Sequence, residues 1–165
     1  EEVGSRTKQG AGSTALAMIL ERVYTALGFD RSEYLAKILE GFCLSVDVAH
    51  ALHPNAPEKA DPTNHPLLGG GVVLKVASNQ SYAGDPEAFA VIAGLCVRDD
   101  IPYQVFTNHS DAAGGATLGS ILSTQLPMRT MDIGAPILGM HSARETMGTA
   151  DQLVLTRLIT SFFSA

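Results

Sequence analysis

Cysteine is nearly absent from the 165 residues, with only Cys43 and Cys96 present. Each lies in an apolar run, Gly41-Phe42-Cys43-Leu44 and Gly94-Leu95-Cys96-Val97, where a thiol packs as a small hydrophobe. A disulfide-dense secreted scaffold is therefore excluded, and two isolated buried thiols in a reducing cytoplasm are expected, with a disulfide between them the lesser alternative. Basic residues are also few: 11 Lys and Arg stand against 17 Asp and Glu, a formal charge of −6. They are scattered, whereas a binder of phosphate backbones gathers them into a stripe, so no nucleic-acid partner is expected. No apolar run is long enough to span a bilayer and the opening residues do not read as a secretory signal, so no membrane partner is expected either. The 45% hydrophobic content is enough to bury a core and argues against disorder.

The order of apolar and breaker residues predicts alternating helices and strands. Ala15, Met18, Ile19, Val23 and Leu27 recur at helical spacing before Gly28, which predicts a helix over 12–27 with a glycine stop. A second helix is expected over 32–39 with Ser32 as N-cap. Strands are expected over 42–48, 72–76, 103–106 and 128–133. Further helices are expected over 85–97, with Asp85 capping and Pro86 at the first turn, over 117–125 and over 152–163. Short apolar strands alternating with helices imply a sheet covered on both faces, with functional residues just beyond the strand ends.

Four polar clusters stand out: Glu1-Glu2, Asp47 to His50, Lys75 with Tyr82, and Met140-His141-Ser142-Ala143-Arg144-Glu145. Carboxylates and imidazoles are ligands for zinc and related ions, and a two-metal centre draws them from several loops. Spacing alone leaves this open, because no compact metal motif such as His-Glu-x-x-His is present. Each cluster also has a plainer reading. Glu1 and Glu2 could be a solvated terminus, Asp47 a turn or cap former, Lys75 an edge or snorkelling lysine, and Tyr82 a packing residue. His53 and His65 read as loop residues. Gly69-Gly70-Gly71 lacks a following Lys-Ser or Lys-Thr and leads into a strand, so it reads as a flexible loop and not a phosphate cradle.

The runs Glu1-Glu2-Val3-Gly4-Ser5, Ser45-Val46-Asp47-Val48-Ala49-His50-Ala51, His53-Pro54-Asn55, His65-Pro66-Leu67, Gly114-Gly115-Ala116-Thr117-Leu118-Gly119 and Met140-His141-Ser142-Ala143-Arg144-Glu145 resemble the aspartyl aminopeptidase family, in order and across essentially the whole chain. The resemblance implies a three-layer α/β/α sandwich of the zinc-dependent exopeptidase type, with residues 1–165 its carboxy-terminal portion and the lid and oligomerisation domain absent. It implies hydrolysis of unblocked amino-terminal Asp or Glu from peptides, by a water activated between two divalent metal ions; zinc comes first, and manganese or cobalt also suit such ligands. By the same match Glu1 is the general base, Glu2, Asp47 and His141 are metal ligands, and His50, Lys75 and Tyr82 contact substrate. Lys75 would supply the acidic specificity, since an ammonium in a partly dry pocket attracts a carboxylate strongly. Met140 and Arg144 would hold the His141 loop. Two further ligands, a histidine and a bridging aspartate, are expected upstream of Glu1, so the chain is expected to be a fragment with an incomplete centre. A homo-oligomeric parent is implied. A di-metal aminopeptidase of other side-chain preference and an inactive structural or regulatory piece are the alternatives.

Overall fold

The computed structural model describes residues 4–112 and 114–165. Its elements run α1 (Ala15–Ala26), α2 (Arg31–Glu40), β1 (Phe42–His50), β2 (Val72–Lys75), α3 (Pro86–Arg98), β3 (Tyr103–Phe106), α4 (Leu118–Leu122), β4 (Arg129–Leu138), β5 (Thr146–Met147) and α5 (Thr149–Phe163). The sheet order is β1-β4-β2-β3, with β5 paired to β4. Strands β1 and β4 are parallel from Phe42 opposite Arg129 to His50 opposite Ile137. Strand β2 is parallel to β3 and antiparallel to β4, with Val73 opposite Gly134.

Alternation along the strands sends two sets of residues to opposite faces. Val72 and Leu74 of β2 and Met131, Ile133 and Ala135 of β4 meet Ile92 and Leu95 of α3 and Leu155 and Leu158 of α5 in the main core. Leu74, Ile92, Met131, Ile133 and Leu158 are fully buried, each worth about 1.5–3 kcal/mol of removal from water. The opposite face carries Val73, Ala49, Tyr82 and Phe106 in a smaller cluster. A Cβ on Gly119 of α4 would meet the Asp132 carboxyl group of β4, so α4 lies over this second face. Tyr34 and Ile38 of α2 and Leu20 and Tyr24 of α1 pack beside it against Leu122 and Leu126. The three-layer α/β/α arrangement is thus present.

Local chemistry explains most boundaries. Helix α3 starts where expected, with Asp85 accepting from the Ala88 N–H at 2.7 Å and Pro86 in the first turn. Helix α2 starts differently. Its N-cap is Asp30 and not Ser32, in a reciprocal box where Glu33 donates its N–H to Asp30 (2.9 Å) and accepts from the Asp30 N–H (2.8 Å); Ser32 already lies inside the first turn. Strand β4 continues past Ile133 through Gly134 and Pro136, residues that ordinarily end a strand. A Cβ at Gly134 would come within 2.7 Å of the Asp47 carbonyl oxygen, so glycine there lets β1 and β4 close together. The Gly69–Gly71 segment is not a flexible loop. The N–H groups of Gly69 and Gly71 donate to the two carboxylate oxygens of fully buried Asp151, at 2.7 and 2.9 Å. Helix α1 has no buried residue, and its apolar side chains Met18, Ile19 and Val23 are exposed. Both cysteines are free; Cys96 is buried and Cys43 half-buried, and burial pushes the Cys96 thiol up to about 11. No helix among the described residues is long and apolar enough to cross a membrane.

Candidate metal and substrate site

On the second face of the sheet, Asp47, Gly134 and Val73 form one row across β1, β4 and β2. Gly134 leaves that row bare in the middle. The Lys75 side chain, on the same face of β2, reaches across it to bring its Nζ to 3.4 Å from Asp47 Oδ2. Lys75 is 3% exposed and belongs to β2, flanked on both sides by other strands, so neither the edge nor the snorkelling reading applies. Its ammonium also lies 5.6 Å from the centre of the Tyr82 ring, a favourable cation–π placement.

Tyr82 is held in turn. Its hydroxyl donates to Asn108 Oδ1 (3.3 Å) or accepts from Asn108 Nδ2 (3.1 Å), and its ring packs 6.0 Å from Phe106. Burial pushes the Tyr82 hydroxyl pKa up, with Asn108 partly opposing. His50 ends β1 with its ring 6.1 Å from Phe106. Desolvation of that ring, followed by the electrostatic influence of Lys75 and His141, lowers its pKa.

His141 sits in the connection between β4 and β5. It adopts φ +67°, a left-handed conformation rare for a non-glycine residue and commonest where a functional group is held in place. Its N–H donates to Glu145 Oε1 at 2.6 Å, and Ser142 N–H donates to the Gly139 carbonyl at 2.9 Å. The Glu145 side chain therefore braces this loop, and Arg144 contributes its backbone N–H, which donates to Ser142 Oγ at 3.1 Å.

Asp47, His50, Lys75, Tyr82 and His141 all line one cavity of about 390 Å³, together with Thr117, Met140 and Glu145. All five of the anticipated site residues that the structure describes thus face a common space. Asp47 lies inside β1, Lys75 and His50 are the last residues of β2 and β1, and Tyr82 and His141 lie beyond strand ends. Glu1 and Glu2 lie outside the described residues. Asp47 and His141 offer a carboxylate and an imidazole, donors that zinc accepts; among the described residues no group of three His, Cys, Asp or Glu side chains forms a metal cage. A second cavity of about 460 Å³ adjoins the first through His50, Phe106 and Gly115 and is lined by His53, His65 and His109. His53 and His65 bond within their own loop, to the Asn55 N–H and the Asp61 carbonyl. Thr117, Asn108 and Asp132 were not singled out by sequence. A charged residue inside the apolar stretch Met131-Asp132-Ile133 was the available signal for the last.

An α/β sandwich with a buried lysine, a carboxylate and an imidazole around one cavity has the makings of a metal-assisted hydrolase. The chain belongs to the aminopeptidase I zinc metalloprotease (M18) family, whose pattern matches residues 1–163. It is 46% identical over 164 residues to a probable M18 family aminopeptidase 2 of Clostridium novyi, covering 99% of this chain and 38% of that protein. It is 41% identical over 171 residues to aspartyl aminopeptidase 4 of Saccharomyces cerevisiae, covering 99% and 35%. Among solved structures, the cryo-EM structure of the Ape4 and Nbr1 complex matches with TM-score 0.93 and 37% identity, over 99% of this chain and 31% of that one. The Saccharomyces cerevisiae mApe1 dodecamer matches with TM-score 0.83 and 29% identity, over 99% and 36%. The chain therefore spans about a third of the length of these relatives.

Proposed function

We propose that this chain supplies one part of the active site of a zinc-dependent aminopeptidase that removes amino-terminal Asp or Glu from peptides. The observation that carries the reading is the shared cavity of Asp47, His50, Lys75, Tyr82 and His141, with Lys75 nearly inaccessible to water. A buried ammonium there selects a substrate carboxylate and penalises neutral side chains that would leave the charge unpaired. Asp47, which pairs with Lys75 at 3.4 Å, and His141, braced by Glu145, are the residues that would hold metal. Two divalent ions, zinc by preference, would polarise the scissile carbonyl and activate water when bound. Glu2 as a further ligand and Glu1 as the group that moves the proton complete the proposal. Tyr82 and His50 flank the substrate, with His50 kept neutral at lower pH than an ordinary histidine and so free to accept a hydrogen bond.

The yeast relative named aspartyl aminopeptidase supports the acidic preference, and the dodecameric neighbour supports a homo-oligomeric assembly. Activity belongs to a polypeptide of the relatives' full length. The test is a panel of Asp-, Glu-, Leu- and Lys-anilides given to the full-length gene product, alongside its zinc content. The expected result is bound zinc and kcat/KM at least about tenfold higher for the acidic pair. Equal rates, or preference for Leu or Lys, would refute the acidic reading.

A further inference from the structure

We propose that Asp132 is a positioning residue for the acidic pocket, its buried carboxyl group tying the Tyr82 segment to the Thr117 loop and so setting the walls around Lys75. This rests on the pocket reading above. Asp132 is fully buried on the same face of β4 as Gly134. It lies one step along the register from Ile133, which pairs with Leu74, so it stands across from Lys75. Its Oδ2 accepts two hydrogen bonds, from the Ala83 N–H and from Thr117 Oγ1, both at 2.5 Å. Its own N–H donates to the Ala83 carbonyl at 2.8 Å, and the Thr117 N–H donates to the Ser81 carbonyl at 3.3 Å. Gly84 bridges to Met131 next door. The carboxyl group thus ties Ala83 to Thr117, while the Thr117 N–H holds Ser81 on the other side of Tyr82; Tyr82 and Thr117 both line the cavity.

Three further observations separate this from ordinary packing. A buried carboxyl group is costly unless well paired, yet Asp132 Oδ1 has no partner among the described residues. Space is kept for that oxygen: a Cβ on Gly119 would fall 2.5 Å from it. The Thr117 hydroxyl, at the N-cap of α4, makes no cap bond to the helix and is spent on Asp132 instead. The clamp holds Tyr82 where its ring meets the Lys75 ammonium, so loosening it would disturb recognition of the substrate carboxylate before it disturbs bond cleavage.

The experiment uses the full-length gene product and its Thr117→Val, Asp132→Asn and Asp132→Ala variants, with Asp- and Leu-anilides and with L-aspartate binding by calorimetry. Thr117→Val keeps the shape and removes one donor; Asp132→Asn keeps an acceptor for both donors. Thr117→Val and Asp132→Ala should each lower the Asp-over-Leu selectivity at least about fivefold, through KM, and weaken L-aspartate binding similarly, whereas Asp132→Asn stays within about twofold. A folded Thr117→Val enzyme with unchanged selectivity, or with equal losses on both substrates, would overturn the proposal; so would an Asn variant as impaired as Thr117→Val. If Asp132→Ala fails to fold, the Thr117→Val and Asp132→Asn pair decides. A wild-type enzyme without acidic preference would instead refute the pocket reading itself.

Discussion

Replacing Lys75 by Met removes the buried ammonium while keeping most of its methylene stem against Tyr82. A substrate carboxylate about 4 Å from that charge, at the effective dielectric of a protein site, gains about 4 kcal/mol. Lys75 is already shared with Asp47 at 3.4 Å, and the substrate sheds some hydration on entry, so a net loss of about 2–3 kcal/mol is the reasonable expectation. That corresponds to an about 30- to 150-fold fall in kcat/KM for Asp-anilide, with the Leu-anilide rate little changed. The fold should survive, because the Asp47 side chain is 28% exposed and can turn to water. The assay is steady-state kinetics on both substrates, with circular dichroism to confirm folding. A folded Lys75→Met enzyme whose Asp-over-Leu ratio stays within about twofold of wild type would refute the reasoning, since a charge worth so little cannot be the specificity element.

Two other changes probe the scaffold. Asp151→Ala leaves the buried N–H of Gly71 and the part-buried N–H of Gly69 without their acceptor and should cost about 2–3 kcal/mol, lowering Tm by on the order of 5–10 °C; a loss under about 1 kcal/mol in chemical denaturation would contradict the anchoring role. Asp99 is held well below the usual carboxylate range by hydrogen bonds from Arg98 and Ser161. Its folded pKa is depressed, so its contribution is present above the unfolded carboxylate pKa of about 3.9 and is lost as pH falls towards the folded value. Asp99→Asn should therefore destabilise at pH 7 and converge with wild type as the pH approaches about 2; a gap that persists unchanged in acid would contradict this.

How much of the structure could be read from the chain depends on the range of the interactions involved. Helix α3 was legible because its cap, its proline and its apolar spacing are local. The Asp30 and Glu33 box at α2 is equally local and is carried by the pattern Asp30-Arg31-Ser32-Glu33, in which Ser32 is a competing cap residue. Strand β4 outruns its apolar pattern because Gly134 and Pro136 are breakers by themselves; what keeps the strand going is the close approach of β1. The glycine run before β2 reads as loose in isolation, and only Asp151, eighty residues away in α5, makes it firm. The apolar spacing of α1 was legible, but not that this face stays exposed among the described residues. At the site, residue types could be listed from sequence, while their roles came from family resemblance. The contact of Lys75 with Asp47 spans 28 positions and depends on a bare glycine between two strands. Asp132 is inconspicuous in the sequence for the same reason, since its partners at Ala83 and Thr117 lie 49 and 15 positions away.

The central claim is that Asp47 and His141 are ligands at one metal centre beside the Lys75 pocket. Zinc content by mass spectrometry, measured on the full-length gene product and on its Asp47→Ala and His141→Ala variants after equilibration with limiting zinc, tests it most directly. Each variant should lose zinc relative to wild type, with affinity at least about tenfold weaker, while Lys75→Met keeps its metal. Wild-type zinc stoichiometry and affinity in both ligand variants would contradict the account.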